Sequence, residues 1–279
     1  MPIASILSIA RSALLAHQKA VSTASHNIAN ASTEGYSRQR IPYETAVPLR
    51  TPQGYVGRGV TANLTERVRD EFLDRAWRTD RGMMERFATS RDLLQGVERV
   101  LGDLDDAGIG QALDAFWSAW GDLANNPSGF TERSQVREAA SNLVQRLRAL
   151  DARLDAMRGD TVARLSQGVT DVNALLAEIR DLNRQVVEGR AVGGAPDVED
   201  RRDLALDRLA QLVGVRTIPQ QDGSVAVLIG DTYVADAAGA AALVVREVVP
   251  GDPAQGYGIG LAAGNGVIEV RSGRLKALA

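Results

Sequence analysis

Histidine, carboxylate and glycine patterns are where this sequence could do chemistry, and each fails on spacing. The two histidines, His17 and His26, lie nine residues apart and share no helix face. A metal site would need further ligands at matching spacing, and none is found. The segment "DLDDAG", Asp103 to Gly108, starts like a calcium loop. Its fifth position is Ala107 and its twelfth is Asp114 where the loop needs a glutamate, so a helix–helix turn is the expectation. The glycines of "GYGIGLAAG" are followed by no helical pattern, which removes the dinucleotide-binding reading. No G-x-S-x-G or P-loop is present, and there is no cysteine. No catalytic residue, cofactor site or metal site is assigned.

What remains distinctive is a polar stretch, "SHNIANASTEGYSRQR", Ser25 to Arg40. It ends some thirty mostly apolar, Ala-rich residues. In these, Ile3, Leu7, Ala10, Leu14, His17, Val21, Ala24, Ile28 and Ala31 alternate steps of four and three, a coiled-coil seam. The opposite face is Ser, Thr, Gln and Lys. A lone helix cannot bury such a seam, so a partner helix is expected from this chain or a neighbour. The helix should stop between Asn30 and Glu34. There Asn and Ser/Thr side chains compete for backbone hydrogen bonds, and Gly35 permits a positive φ.

The elements that must position this stretch follow from periodicity. Pro42, Pro48 and Pro52 with Gly54, Gly57 and Gly59 make residues 37–69 extended chain and turns. Helical character returns near Asp70, with Phe72, Ala76, Trp77, Met84, Phe87, Leu94, Val97 and Leu101 as its expected buried face. A shorter helix ends at Asn125–Pro127. From Thr131, read as an N-cap, the spacing predicts one helix of roughly 55 residues, about 80 Å long, with a local change of supercoil near Thr161. Leu143, Leu147, Leu150, Leu154, Leu175, Ile179 and Leu182 are its expected core. "DVEDRRDLALDR" reads as a solvated charge run on one more amphipathic helix. After Gly214 the period becomes two, and Asn265–Gly266 signals a hairpin.

The fold class is therefore mainly α: long coiled-coil-like helices in an elongated helical core, with a smaller β-rich segment at the C-terminal end. The expected division is a coiled-coil helix over 1–36, an extended linker over 37–69, an elongated helical domain over 70–214, and the start of a β-rich domain over 215–279 whose end looks truncated. Aromatic content of 4% suits long helices packed through Ala, Leu and Val. With 32 basic and 35 acidic residues, the net charge of −3 gives no pull toward nucleic acid or membrane. No apolar run reaches membrane-spanning length, and the N-terminus lacks the basic start of a cleaved signal peptide.

The polar stretch resembles the N-terminal signature of the bacterial flagellar rod, hook and hook-associated proteins, Ser-x-Asn-Ile-Ala-Asn-x-x-Thr-x-Gly-Tyr. Ser25, Asn27, Ile28, Ala29, Asn30, Thr33, Gly35 and Tyr36 match it, and the "SRQR" that follows is similar to the hook-associated branch. "RVRDEFLDRAWR", "ERVLGDLDDAGIGQALDAFWSAWGDLANNPS" and "DRRDLALDRLAQLVGV" are similar to later blocks of that branch. The resemblance implies a non-enzymatic axial subunit that joins hook to filament by self-assembly into a hollow tube, its terminal helix in the innermost layer. It implies Ile3, Leu7, Leu14, Val21, Asn27, Ile28, Asn30, Thr33, Gly35, Tyr36 and Arg38 as assembly residues. The implied partners are further copies of the chain, the hook protein, the next hook-associated protein, and an export chaperone acting through a C-terminal part missing here. The implied location is extracellular, in the flagellum, reached through the flagellar export apparatus without a cleaved signal. Hook and distal-rod subunits share the signature and stay open as alternatives, as does a regulatory coiled-coil adaptor.

Overall fold

The computed structural model describes residues 3–52, 54–62, 64–102, 109–191 and 193–279. The calcium-like segment Asp103 to Gly108 lies outside them. The chain opens with α1 (Ile3–Ala29) and six short strands: β1 (Gln39–Arg40), β2 (Glu44–Thr45), β3 (Leu49–Thr51), β4 (Gly54–Val56), β5 (Val60–Thr61) and β6 (Glu66–Arg67). Four helices follow, α2 (Glu71–Gly102), α3 (Ile109–Asn125), α4 (Phe130–Arg190) and α5 (Pro196–Leu212). Then come β7 (Val215–Pro219), β8 (Val225–Ile229), β9 (Thr232–Ala235), β10 (Leu243–Val249), β11 (Asp252–Leu261), β12 (Val267–Ile268) and a last short helix, α6 (Arg274–Leu278). The architecture is the mainly helical one expected, with the β-rich portion C-terminal. Among the described residues no helix is long and apolar enough to cross a membrane.

Residues 37–69 are more ordered than extended chain and turns. They form one nested antiparallel hairpin: β3 pairs with β4 at the tip, β2 with β5 in the middle, β1 with β6 at the base. Pro42 and Pro48 fall between the paired segments, where a missing N–H interrupts no ladder bond.

The 61 residues of α4 make one unbroken helix, about 90 Å long. Gly129, not Thr131, occupies its N-cap position, and no side chain caps it. Its N-terminal half packs against α3, its C-terminal half against α5, β9, β10 and α6. This asymmetry corrects the expected core. Leu165, Val169, Val172, Leu176, Ile179 and Val186 are buried, Leu175 and Leu150 are half-buried, and Leu147 and Leu154 are exposed. Over the N-terminal half, α3 with a smaller contribution from α2 at Gly96 covers only a narrow line of side chains. A helix and two sheets cover a broad stripe.

The core lies between that stripe, the inner face of α5 (Leu206, Leu209) with Val213 just after it, and two three-stranded antiparallel sheets, β7–β8–β9 and β10–β11–β12. β8 is buried along its whole length, as its unbroken apolar run requires. Two asparagines within the α4 stripe satisfy strand backbone. Asn183 Nδ2 donates to the Val225 carbonyl at 2.8 Å, and its Oδ1 accepts from Val225 N at 3.0 Å. Asn173 makes the same pair of bonds to Leu243, both at 2.8 Å. The last helix is built into this core too: Leu275 of α6 is fully buried, its side chain so close to Gly168 that a Cβ there would collide with it.

The expected buried face of α2 is a second correction. Phe72, Trp77, Met84, Phe87, Leu94 and Leu101 are exposed, and the inward side carries Arg78 and Gly82. Arg78 faces inward because α5 offers it carboxylates, described next.

Candidate assembly surface and the polar junction behind it

The terminal helix α1 presents the reverse of an ordinary amphipathic helix. Ile3, Leu7, Leu14, Val21 and Ile28, the predicted seam, are between 63% and 78% exposed. The small and polar face is the one that is covered, by the hairpin of the same chain. Ala16 is buried there. Ser12 Oγ accepts from Val60 N at 3.3 Å, and Lys19 Nζ donates to the Ala62 carbonyl at 3.0 Å. Hydrogen bonds hold the helix to the hairpin while its apolar stripe faces outward.

At the end of α1 the signature residues interlock. Asn27 Nδ2 donates to the Gln39 carbonyl, and its Oδ1 accepts from Gln39 N, each at 2.8 Å, so the side chain extends the β1 backbone as a strand would. The Tyr36 hydroxyl donates to the same Oδ1 at 2.7 Å. Burial, with the nearby Asp197 and Asp200 carboxylates, pushes the Tyr36 hydroxyl above its ordinary pKa, so it remains a donor. Asn30 Nδ2 donates back to the His26 carbonyl at 3.1 Å, and Thr33 Oγ1 donates to Asn30 Oδ1 at 3.2 Å, which closes the helix stop. Gly35 takes φ +79° and lies against Leu204 of α5, where a Cβ would come within 3.1 Å. Arg38 is exposed and contributes its carbonyl, which accepts from Val68 N at 2.8 Å. The structure thus brings Asn27, Gly35 and Tyr36 together in one knot, with Asn30 and Thr33 beside it. The five seam residues form a separate line along the helix.

Behind the knot lies an ionic cluster that sequence reading missed. Arg67 of β6 reaches three α5 carboxylates: Glu199 at 2.8 Å, Asp200 at 2.9 Å and Asp203 at 2.6 Å. Arg69 pairs with Asp74 at 2.5 Å and lies 3.7 Å from both Asp203 and Asp207. Arg78 of α2 pairs with Asp207 at 2.6 Å. Ser37 N donates to Asp200 at 2.9 Å, and Gln39 Nε2 to Asp197 at 2.6 Å. Burial alone would raise Asp203, but the Arg67 charge and hydrogen bond hold it below the usual carboxylate range. At Asp207 burial prevails over Arg78, and the carboxyl sits above that range. "DVEDRRDLALDR" is therefore no solvated run: Asp200, Arg202 and Asp203 are buried. The available signal was the spacing of Asp200, Asp203 and Asp207, which places them on one helix face.

A family model described as "Flagellar hook-associated protein FlgK helical domain" matches residues 94–279, more than half of the chain. The chain belongs to the FlgK family of flagellar hook-associated proteins. The model "Flagella basal body rod protein" matches residues 7–36, which hold the knot and the exposed seam from Leu7 to Ile28. Flagellar hook-associated protein 1 of Bacillus subtilis is 33% identical over 225 residues, 78% of this chain and 44% of that one. Its counterpart in Salmonella typhimurium is 25% identical over 232 residues, 82% of this chain and 42% of that one. The solved structure of the flagellar hook junction protein FlgK from Burkholderia pseudomallei aligns with a TM-score of 0.62 at 23% identity, over 74% of this chain and 38% of that one, and shows the shared fold. The chain spans less than half the length of each of these relatives.

Proposed function

We propose that the chain serves as a structural subunit of the bacterial flagellum, joining hook to filament by self-assembly into the axial tube. The observation that carries this reading is the outward seam of α1, five large apolar side chains in one line with their polar backs covered. Water-exposed apolar stripes of this kind are stabilised by a partner helix. Family membership, and the hook-associated and hook-junction names of the relatives, support the flagellar setting. In this reading Ile3, Leu7, Leu14, Val21 and Ile28 make the contacts. Asn27, Gly35 and Tyr36 shape the helix end that presents Asn30, Thr33 and Arg38 to neighbours. The partners are other copies, the hook protein, the next hook-associated protein and an export chaperone. The subunit works outside the cell after passage through the flagellar export apparatus.

Leu14→Asp with Val21→Asp, placed in the full-length protein in a strain lacking it, tests the reading. The expected outcome is normal export and unchanged melting of the soluble subunit, with incorporation and motility lost. Hooks that remain intact while filaments are shed separate a junction subunit from a hook or rod subunit. Normal incorporation of the double variant would overturn the proposal.

A further inference from the structure

The described residues from Ile3 to Arg69 form an arm, α1 with its hairpin, attached to the helical body. Among the described residues the body's buried apolar cluster starts at Leu165, and the arm contributes no side chain to it. The contacts across the junction are polar. Arg67 meets Glu199, Asp200 and Asp203, and Arg69 meets Asp74, Asp203 and Asp207. Gln39 and His26 meet Asp197, Ser37 N meets Asp200, and Glu34 lies 3.6 Å from Arg208. Gly35 also rests on Leu204, where a Cβ would come within 3.1 Å.

Apolar burial is non-directional and tolerates many angles of approach, whereas hydrogen-bonded ion pairs hold only in one geometry. Arg67 and its three carboxylate partners are each at most 21% exposed in their side chains, so solvent screens them weakly. The bonds that keep the arm together, through Ser12, Lys19 and Asn27, do not pass through this network. The body's buried apolar cluster lies outside it too, although Asp203 and Asp207 also hold Arg78 of α2. We propose that the network around Arg67 and Arg69 is an orientation lock. It sets the angle at which the terminal arm leaves the helical body, and neutralising it frees the arm as an intact unit without melting the body. This device goes beyond the assembly reading and does not depend on it.

The chain contains no cysteine, so introduced pairs take spin labels at defined sites. Glu44→Cys on the hairpin with Arg201→Cys on α5, both exposed, report the angle. Gln18→Cys with Glu44→Cys report the arm's integrity. Each pair is measured in the 279-residue chain, alone and with Arg67→Gln, and with Arg67→Gln/Asp200→Asn, which removes a carboxylate left without its partner. The expected result is loss of the single narrow inter-label distance for the first pair in both variants. The second pair stays narrow, and hydrogen-exchange protection across Leu176 to Val186 is kept. A first pair that stays narrow shows that something else holds the angle. A second pair that broadens, or core protection that falls alongside, shows that the network holds the fold itself. Either result overturns the lock.

Discussion

Asp203 and Asp207 lie one turn apart on α5, share Arg69 and Arg78 as neighbours, and respond in opposite directions. For Asp203, burial is outweighed by Arg67, with Arg69 and Arg202 adding to the pull, and the folded-state pKa is lowered. Its stabilisation is complete above the unfolded-state value of about 3.9 and is lost as pH falls through the lower folded value. For Asp207, burial is the larger effect and the folded-state pKa is raised. That group therefore favours folding more as pH falls from above its folded value to below about 3.9. Unfolding free energy measured in urea from about pH 6 to about pH 2 separates them. Asp203→Asn should flatten the acid-side loss, and Asp207→Asn should steepen the curve just above the ordinary carboxylate range. A change of the same sign in both would show that their environments do not differ as described. At this scale half of the candidate site was legible. Asn27 and Gly35 announce themselves because few residue types can stop a helix and turn the chain, and Tyr36 is marked only by the resemblance to the flagellar signature. Arg67 and Asp200 do not, because 133 positions separate them and interleaved charges look alike on solvated and buried helix faces.

Elements were read well for type and poorly for face. α4 shows why: the heptad spacing of leucines runs through both halves, but spacing says nothing of how many neighbours arrive. Leu176 is fully buried between α5 and the sheets, and Leu147 is 46% exposed beside α3. Leu176→Ala should cost about 2–5 kcal/mol, and Leu147→Ala should stay within about 1 kcal/mol. Urea denaturation of the two variants checks this, and equal losses would mean that the N-terminal half of α4 has a cover not described here. The error on α2 has the same origin. Phe72, Trp77, Met84, Phe87 and Leu94 suggested a core, but α5 turns its carboxylates toward α2 and so draws Arg78 to the inside. An arginine buried against a distant carboxylate leaves no trace in the local pattern.

For the whole molecule, the mainly helical class, the long α4 and the β-rich C-terminal portion could be read from the period of apolar residues. The strand pairing could not, because the nested hairpin over residues 37–69 joins segments of two or three residues, too short for alternation to show. The attachment of α6 was also hidden. "GRLKALA" looks like a loose end until Gly168, on a helix a hundred positions earlier, is seen to make room for Leu275.

The unbroken run of α4 through both halves carries a consequence for the time course of folding. α3 and α4 are joined by only the four residues between Asn125 and Phe130, so their pairing closes a very short loop. The clamps that bring the sheets onto the other half of α4 span 42 residues for Asn183 and 70 for Asn173. Local pairings form faster than distant ones, so the helical hairpin is expected to appear first and the sheets to dock afterwards. Trp117 and Trp120 on α3 should then change fluorescence in an earlier stopped-flow phase than the one in which Leu176→Ala slows refolding. A single phase for both would place the two halves in one cooperative nucleus. In the sequential case the first half of α4 is the product of an early step, and its second half is the surface on which the rest of the chain is assembled.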